Sequence, residues 1–353
     1  MDRQRKSRIV YLDVLRCLAC LAVVLLHSSS AYATYPFGTA DFYAGHLFDS
    51  LSRFAVPVFV MVSGALMLDE SRETGGKKLL NRFVRLGIFY VFWSVAYGVL
   101  FKLVIPLLKH QKISVSSLLG ALINGHYHLW FIPMILGLYA ITPLLRLWVK
   151  RENLRYVRYF LLLAFIFAYL IPRILEVAGL FDSRIGSVKL FDNLGFQYVA
   201  GYTSYYILGW YLHTVPVKKT GWLVGTGLAG LGVTVFGTML LSACLGKTYL
   251  FYNNLSLHTL AVSVAVFCLV KSRYAGCTGE KPGAFLRAVY FVADNSLGVY
   301  AVHAVVLAVA RTVLNALGIT GFADVLLAFL IAVPVSLAVS WVGKKIPGIR
   351  RVF

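Results

Sequence analysis

Apolar stretches long enough to cross a lipid bilayer recur along this sequence, and they constrain its fold more than any other feature. A helix needs roughly 20 residues to cross about 30 Å of hydrocarbon. Backbone groups in hydrocarbon must be satisfied within a helix or a closed barrel, and barrel strands would alternate over about ten residues. These runs are continuous, so we predict an all-α membrane protein of about ten transmembrane helices, at about 9–33, 43–68, 83–108, 128–148, 156–176, 198–214, 222–245, 251–271, 285–311 and 322–343.

Composition supports the same class of protein. Of the 353 residues, 59% are hydrophobic and only 14% are charged, and the mean hydropathy is +0.77. A soluble domain of this length would need more charge to cover its surface. The net charge of +20 could indicate nucleic-acid binding. The Lys and Arg residues lie in short clusters between apolar runs instead of one stripe, so we expect no nucleic-acid partner.

The distribution of these basic residues predicts the topology. With the N-terminus inside, the cytoplasmic segments hold 24 of the 34 Lys and Arg residues and the outer segments hold eight. Under the positive-inside rule, both termini are cytoplasmic. The first span resembles a secretory signal, but Asp13 and Arg16 inside it and its length predict that it is retained. We therefore expect a multi-pass protein of the cell inner (cytoplasmic) membrane.

Ionisable residues inside the first span are the strongest functional signal. Arg16 and His27 are 11 residues apart, which is about three helical turns and roughly 16 Å. Eleven steps of about 100° return to within about 20°, so both side chains project from one face. Asp13 lies one turn before Arg16 and can pair with it. Intramembrane charges are costly and commonly functional, but spacing alone also allows a structural ion pair and a hydrogen-bonded histidine.

The second span contains two further polar positions. Arg53 lies in mid-span and requires an anionic or carbonyl partner, so it either lines a cavity or pairs with Asp13 or Asp294. Ser63 and Gly64 are small adjacent residues, which in membrane helices first indicate close helix packing.

Histidines and aromatic residues form the remaining candidates. His126 and His128 have spacing that could suit a metal, but no Cys or carboxylate at ligand spacing accompanies them, so no metal site is predicted. Trp130 fits either the interfacial aromatic belt or a stacking surface for an acceptor sugar. His303 reaches a depth similar to that of His27, as a second active-site histidine or as a packing residue.

Five segments occur in an order that points to one family. Tyr11-Leu-Asp-Val-Leu-Arg16, followed after ten residues by His27, resembles the first-helix signature of the acyltransferase-3 family of membrane acyltransferases. The other segments resemble its later helices, and together they cover essentially the whole chain: Arg53-Phe-Ala-Val-Pro57 through Ser63-Gly64, Arg82-Phe-Val-Arg85, His128-Leu-Trp130-Phe131 with Tyr139 and Pro143, and Ser296-Leu-Gly298-Val-Tyr300-Ala-Val-His303.

The resemblance implies a function and a set of site residues. It implies one acyltransferase-3 transmembrane domain over residues 1–353. The activity would be acyl transfer from cytoplasmic acyl-CoA, most simply acetyl-CoA, to a hydroxyl of a cell-surface polysaccharide or lipid-linked glycan. Acetyl and succinyl remain alternatives for the acyl group, and no permanently bound cofactor or metal is expected. The partners would be the acyl-CoA, the glycan acceptor and membrane lipid.

His27 would act as the general base, since an imidazole titrates near neutral pH, and an acyl-histidine intermediate remains open. Arg16 would bind the donor or hold His27. Arg82 and Arg85 would anchor the CoA pyrophosphate through bidentate contacts, unless they are an ordinary positive-inside cluster with Lys77 and Lys78. The further pocket candidates are Asp13, Arg53, Ser63, His128, Trp130, Tyr300 and His303.

A secondary transporter is the rival class, because transporters also have about ten helices and intramembrane charges. Many transporters contain inverted repeats with paired broken helices. The first five predicted spans do not resemble the last five, and the charged residues concentrate in the first half. These observations favour an enzyme.

Overall fold

The computed structural model describes residues 8–72, 76–182, 184, 193–216, 220–246, 250–277 and 282–353. These residues contain helices and no β-strand, which confirms the all-α prediction. The α-helices are α1 (Val10–Ser29), α2 (Ala40–Ser52), α3 (Ala55–Met67), α4 (Gly76–Val99), α5 (Ile105–Leu108), α6 (Val115–Asn124), α7 (Phe131–Trp148), α8 (Leu154–Ala164), α9 (Ile171–Ala178), α10 (Phe196–Thr214), α11 (Thr220–Leu245), α12 (Leu257–Tyr274), α13 (Ala284–Ala316) and α14 (Gly321–Gly343).

Several of these helices join into longer rods. Single π-helical segments, Leu100–Val104 and Phe165–Leu170, connect α4 to α5 and α8 to α9. Among the described residues, nine helical runs are long and apolar enough to cross a membrane. Helix α10 occupies the sixth predicted span, 198–214, and is not among these nine, because its many tyrosines make it less apolar. It lies among other helices, with Tyr205, Tyr206 and Trp210 buried. The prediction of a polytopic helical membrane protein is therefore confirmed.

The predicted second span, 43–68, is interrupted in its middle. Helix α2 ends at Ser52, and α3 begins at Ala55. Pro57 lies in the first turn of α3, where its missing backbone N–H costs nothing. The break places Arg53 at the junction of two helices instead of on one continuous face.

Helix α6 lies in the segment 109–127, between the predicted spans 83–108 and 128–148, and the span prediction assigns this segment to an outer loop. The Ser114 hydroxyl caps its first turn by accepting a hydrogen bond from the Ser117 backbone N–H at 3.3 Å. Gly125 ends the helix with a φ of +72°. The loop prediction was wrong because the apolar run between the Ser114 cap and Gly125 is only ten residues long, too short to be predicted as a membrane span.

Helix α1 is the central element of the bundle. It packs against α2, α3, α12, α13 and α14, and most of its residues are buried. Its ionisable side chains therefore face protein and not lipid. This is the placement expected of intramembrane charges that serve a site.

Segments predicted to be cytoplasmic meet at one end of the bundle. Arg8, just before α1, donates to the Asp294 carboxylate of α13 at 2.6 Å. Lys344, just after α14, donates to the backbone carbonyl of the same aspartate. Arg146 donates to the Asp69 carbonyl at 3.0 Å and so joins the ends of α3 and α7. The segments before α1 and after α14 therefore lie at the same end of the bundle, and the side of the membrane that this end faces stays a prediction.

Two glycines allow α3 and α10 to pack with their backbones in contact. A Cβ atom on Gly64 would lie 1.8 Å from the carbonyl oxygen of Tyr206, and one on Gly209 would lie 2.0 Å from that of Met61. Small residues at such crossings are a common basis of membrane-helix association. The close packing predicted at Ser63-Gly64 is confirmed at Gly64.

We expect Gly64→Ala to destabilise the protein, because the methyl group would meet a backbone oxygen that cannot move alone. Overpacking of this kind costs about 1–3 kcal/mol, so thermal unfolding of the purified protein in detergent should occur several degrees lower. Gly137→Ala in α7 is the matched control, since nothing lies within 4 Å of the position that its Cβ would take. An unchanged unfolding temperature for Gly64→Ala would contradict the close approach.

Candidate active site

A cavity of about 480 Å³ runs through the bundle between α1, α3, α4, α7 and α13. This volume lies within the range of pockets that bind small molecules and cofactors. Nine of the eleven predicted site residues line it: Arg16, His27, Arg53, Ser63, Arg82, Arg85, His128, Trp130 and Tyr300. The other two, Asp13 and His303, contact residues of its wall.

Helix α1 contributes both of its predicted functional residues to this cavity. Arg16 and His27 line the same wall, as their 11-residue spacing predicted. The Asp13 carboxylate lies 3.4 Å from the Arg16 guanidinium and 3.7 Å from that of Arg8. The predicted Asp13–Arg16 pair is therefore confirmed, and it orients the arginine in the part of the cavity that is predicted to be cytoplasmic.

Three arginines, Arg72, Arg82 and Arg85, line the end of the cavity that is predicted to be cytoplasmic, and we call them the arginine cluster. Among the described residues, no carboxylate pairs with Arg82 or Arg85. The Arg82 guanidinium instead contacts the sulfur of Met67 at 2.5 Å. These two cations, which have no counterion in the described part of the chain, are available to bind an anionic ligand.

Arg72 differs because a carboxylate balances it. Its Nε lies 3.3 Å from the Asp69 carboxylate, which also accepts hydrogen bonds from the Ser71 hydroxyl at 2.8 Å and the Ser71 backbone N–H at 3.0 Å. Partial burial opposes ionisation of Asp69, but these hydrogen bonds, with His213 and Arg72 nearby, hold the pKa of its carboxyl below the usual value. Asp69 therefore stays ionised at neutral pH.

Three histidines, His27, His128 and His303, meet at the other end of the cavity, and we call them the histidine cluster. The ring centroids of His27 and His128 each lie 5.1 Å from that of His303, and they are 6.4 Å from each other. His303 is fully buried and His128 nearly so. His126 lies next to the cluster, with its Nδ1 2.8 Å from that of His128. In the described part of the chain, no three His, Cys, Asp or Glu residues are arranged to hold a metal ion.

Arg53 lines the cavity, but its ion-pair partner was not predicted. The carboxylate that pairs with it is that of Asp49, one helical turn earlier, so the alternative pairing with Asp13 or Asp294 was wrong. The Arg53 Nη1 also donates to the carbonyl oxygen of Tyr252 at 2.8 Å, and its guanidinium lies 4.3 Å from the Tyr252 ring centroid. These contacts hold a permanent positive charge in the wall.

An aromatic surface and an amide border the same end of the cavity. Trp130 is 41% exposed, and its ring lies 5.8 Å from that of Tyr202. The Asn254 side chain donates to the Tyr202 hydroxyl at 3.0 Å, and the Tyr205 hydroxyl donates to the Asn254 carbonyl at 2.7 Å. Stacking rings with amide groups can bind a hydroxyl-rich ligand.

Sequence reasoning did not select four polar residues of the wall as site residues: Arg72, Tyr139, Asn254 and Ser296. Tyr139 and Ser296 belong to segments quoted for the family resemblance, so a signal for them was present. Arg72 and Asn254 lie in connections between helices, where neither periodicity nor hydropathy indicates which residues face a cavity.

The fold and the site together define a polytopic membrane protein whose charged cavity joins clustered arginines to clustered histidines. The profile of the acyltransferase-3 family, an acyltransferase domain, matches residues 9–344, which is nearly the whole chain. The chain belongs to this family of membrane acyltransferases. No curated protein and no solved structure gives a match. Membership of this family does not favour the transporter alternative.

Proposed function

We propose that this chain is an O-acetyltransferase of the cell inner membrane. It would take an acetyl group from cytoplasmic acetyl-CoA and pass it to a hydroxyl of a cell-surface polysaccharide or lipid-linked glycan. The observation that carries the proposal is the single cavity, which joins an arginine cluster suited to phosphates to a histidine cluster suited to proton transfer. Within the family, the segments around His128 and His303 most resemble the enterobacterial common antigen O-acetyltransferase, which supports acetyl as the group transferred.

The donor would bind at the arginine cluster. Arg82 and Arg85 are three residues apart on α4, so they share a helical face. Neither guanidinium has a carboxylate partner in the described residues, and bidentate contacts with phosphate oxygens would satisfy both. The pantetheine arm would then extend past Arg16 towards His27, over roughly 16 Å of α1.

His27 would carry the chemistry at the far end of this path. As the acceptor hydroxyl attacks the thioester carbonyl carbon, His27 removes its proton. The carbon–sulfur bond then breaks, and the departing CoA thiolate takes that proton, so acetyl ester and free CoA are the products. Arg53 would supply positive charge for the oxyanion that develops during attack.

The acceptor would approach from the Trp130 end of the cavity. The exposed Trp130 ring offers a stacking surface for a sugar, and Asn254 offers an amide group for its hydroxyls. Because both lie at the opposite end of the cavity from the arginine cluster, donor and acceptor can occupy it together.

The proposal predicts slow release of CoA when purified full-length protein is incubated with acetyl-CoA alone, because water can replace the acceptor. Release should be faster with acetyl-CoA than with succinyl-CoA. Mass spectrometry of surface glycans should show one acetyl group fewer in a deletion strain than in its parent. Two results together would contradict the proposal and favour the transporter class: purified protein that binds acetyl-CoA without releasing CoA, and a deletion strain whose glycans match those of its parent.

A further inference from the structure

His303 on α13 is held in one tautomer by the backbone. Its Nδ1 lies 3.0 Å from the carbonyl oxygen of Val299 and 2.8 Å from that of Tyr300. Carbonyl oxygens only accept hydrogen bonds, so Nδ1 must carry the proton. The neutral ring therefore has its lone pair on Nε2. The tautomer of a histidine is set in this way by the bond that its other nitrogen makes.

The Nε2 atom of His303 is buried, yet none of the described protein groups bonds to it. His303 itself is 0% exposed. A buried acceptor without a donor is costly and rare in native proteins. Nε2 is the nitrogen remote from the α13 backbone, and the rings of His27 and His128 pack on that side chain at 5.1 Å.

Of these two neighbours, His27 is the one with neither ring nitrogen engaged. His128 is held through its Nδ1 by His126 at 2.8 Å, although its Nε2, like that of His303, is buried without a partner in the described residues. His27 makes no side-chain hydrogen bond within the described residues. Two imidazoles joined edge to edge by a bond of about 2.9 Å have centroids about 5 Å apart, which matches the separation of His27 and His303. The His128 ring is equally close, but it is 1% exposed and held by His126, whereas the His27 ring borders the open cavity and has space to turn towards Nε2.

We propose that His303 is a positioning residue whose Nε2 accepts a hydrogen bond from the His27 ring N–H. The bond would leave the other His27 nitrogen, on the cavity side, unprotonated and ready to react. It rests on the function proposed above, in which His27 carries the reacting nitrogen. The same arrangement serves a general base or a nucleophile, because both need a lone pair in a fixed direction. It also stabilises the imidazolium that forms when His27 takes a proton, as the aspartate of a serine-protease triad does.

The effect on His27 can be separated from that of its other neighbours. The titratable and charged groups around His27 come from four elements. Helix α13 contributes His303, the junction of α2 and α3 contributes Arg53, and α1 itself contributes Arg16. The turn before α7 contributes His126, Tyr127 and His128. Among these, His303 combines a backbone-locked tautomer with a buried lone pair that no group of the described residues uses.

Replacing His303 tests this role through the pH profile of CoA release from acetyl-CoA by the full-length protein in nanodiscs. His303→Leu should lower kcat about 10- to 100-fold and leave the KM for acetyl-CoA unchanged. It should also move the acidic limb of the kcat profile about one pH unit lower. The direction follows because loss of the acceptor destabilises protonated His27, so a lower pH is needed to protonate it. His303→Gln keeps an acceptor oxygen, so its kcat and the position of its acidic limb should lie between those of His303→Leu and the wild type.

His258→Leu is the matched control, since His258 is a buried histidine of α12 outside the cavity wall. The acidic limb of its kcat profile should stay at the wild-type pH. A fall in kcat for His303→Leu with an unmoved limb, or a His303→Gln variant no better than His303→Leu, would reduce His303 to a packing residue.

Nitrogen-15 NMR of histidine-labelled protein tests the same contact without relying on activity or on a folded His303 variant. One buried histidine should show a protonated Nδ1 and a hydrogen-bonded Nε2. The Nε2 signal should shift in His27→Ala. A shift in His128→Ala instead, or in neither variant, would overturn the pairing. Because this measurement needs no turnover, it decides the contact even if the protein releases no CoA.

Discussion

Alanine in place of His27 is expected to reduce acetyl transfer about 100- to 10,000-fold, the usual effect of removing a general base. The His27 side chain borders the open cavity, so its removal enlarges a space that already exists and leaves no buried charge unpaired. Expression, membrane insertion and thermal unfolding should therefore remain near those of the wild type. The rate of CoA release from acetyl-CoA measures the loss of activity, and the unfolding temperature of the same preparation measures the unchanged stability.

His258→Ala provides the comparison for this variant. His258 is also buried, but its Nε2 bonds to the Ser256 hydroxyl at 2.9 Å and to the Phe251 carbonyl at 2.8 Å. Its loss should lower stability and preserve turnover, the reverse of the pattern for His27. Wild-type turnover in His27→Ala would end the general-base role and leave His303 as the next candidate.

The Arg82→Ala, Arg85→Ala double variant is expected to raise the KM for acetyl-CoA about tenfold or more, with kcat nearly unchanged. Contacts to the CoA phosphates lie far from the thioester, so they are equal in the ground and transition states. Uniform binding of this kind appears in KM and not in kcat, at about tenfold per 1.4 kcal/mol of lost interaction. Steady-state kinetics of CoA release over a range of acetyl-CoA concentrations separates the two constants.

Lys77→Ala is the control for general positive charge, because Lys77 lies on the same helix and does not line the cavity. It should leave both constants unchanged. Arg16, nearer the thioester, should behave differently, with Arg16→Ala lowering kcat as well. Partial activity in Arg16→Lys would favour charge over bidentate geometry. A double variant that loses kcat with KM untouched would refute the donor path. So would an Arg82→Cys variant, in a background without the five native cysteines, whose thiol labelling ignores added CoA.

Much of the fold could be predicted from sequence because the bilayer imposes a minimum length on every apolar helix. The register of α1 was equally predictable, since 11 residues return Arg16 and His27 to the same face. Helix α6 was missed although Ser114 and Gly125 bracket it, because its apolar run was too short to be read as a span. The break at Arg53 was missed because hydropathy does not change across it.

The site was predictable where a residue lies on a long helix and less so elsewhere. Arg53 had three aspartates within conceivable reach, and the local one, Asp49, forms the pair because an i, i+4 contact needs no tertiary alignment. The four-residue spacing between Asp49 and Arg53 was visible in the sequence. Asn254 had no such signal, because its place depends on the path of a short connection. The meeting of His27 with His303 depends on how deep α13 sits, which intrinsic periodicity does not determine.

The fixed guanidinium groups in the cavity wall have an electrical consequence. A cavity that reached both faces of an energised membrane would dissipate its voltage if protons or sodium ions could cross it. Arg16 and Arg53 stand towards its two ends, held by Asp13 and Asp49, and a permanently charged arginine in a narrow pore repels small cations. The carboxylates of Asp13 and Asp49 are engaged in these ion pairs, so neither is free to bind a cation. Under the proposed function, the same residues would attract the anionic donor, so the wall would admit a phosphate-bearing substrate while the membrane keeps its voltage.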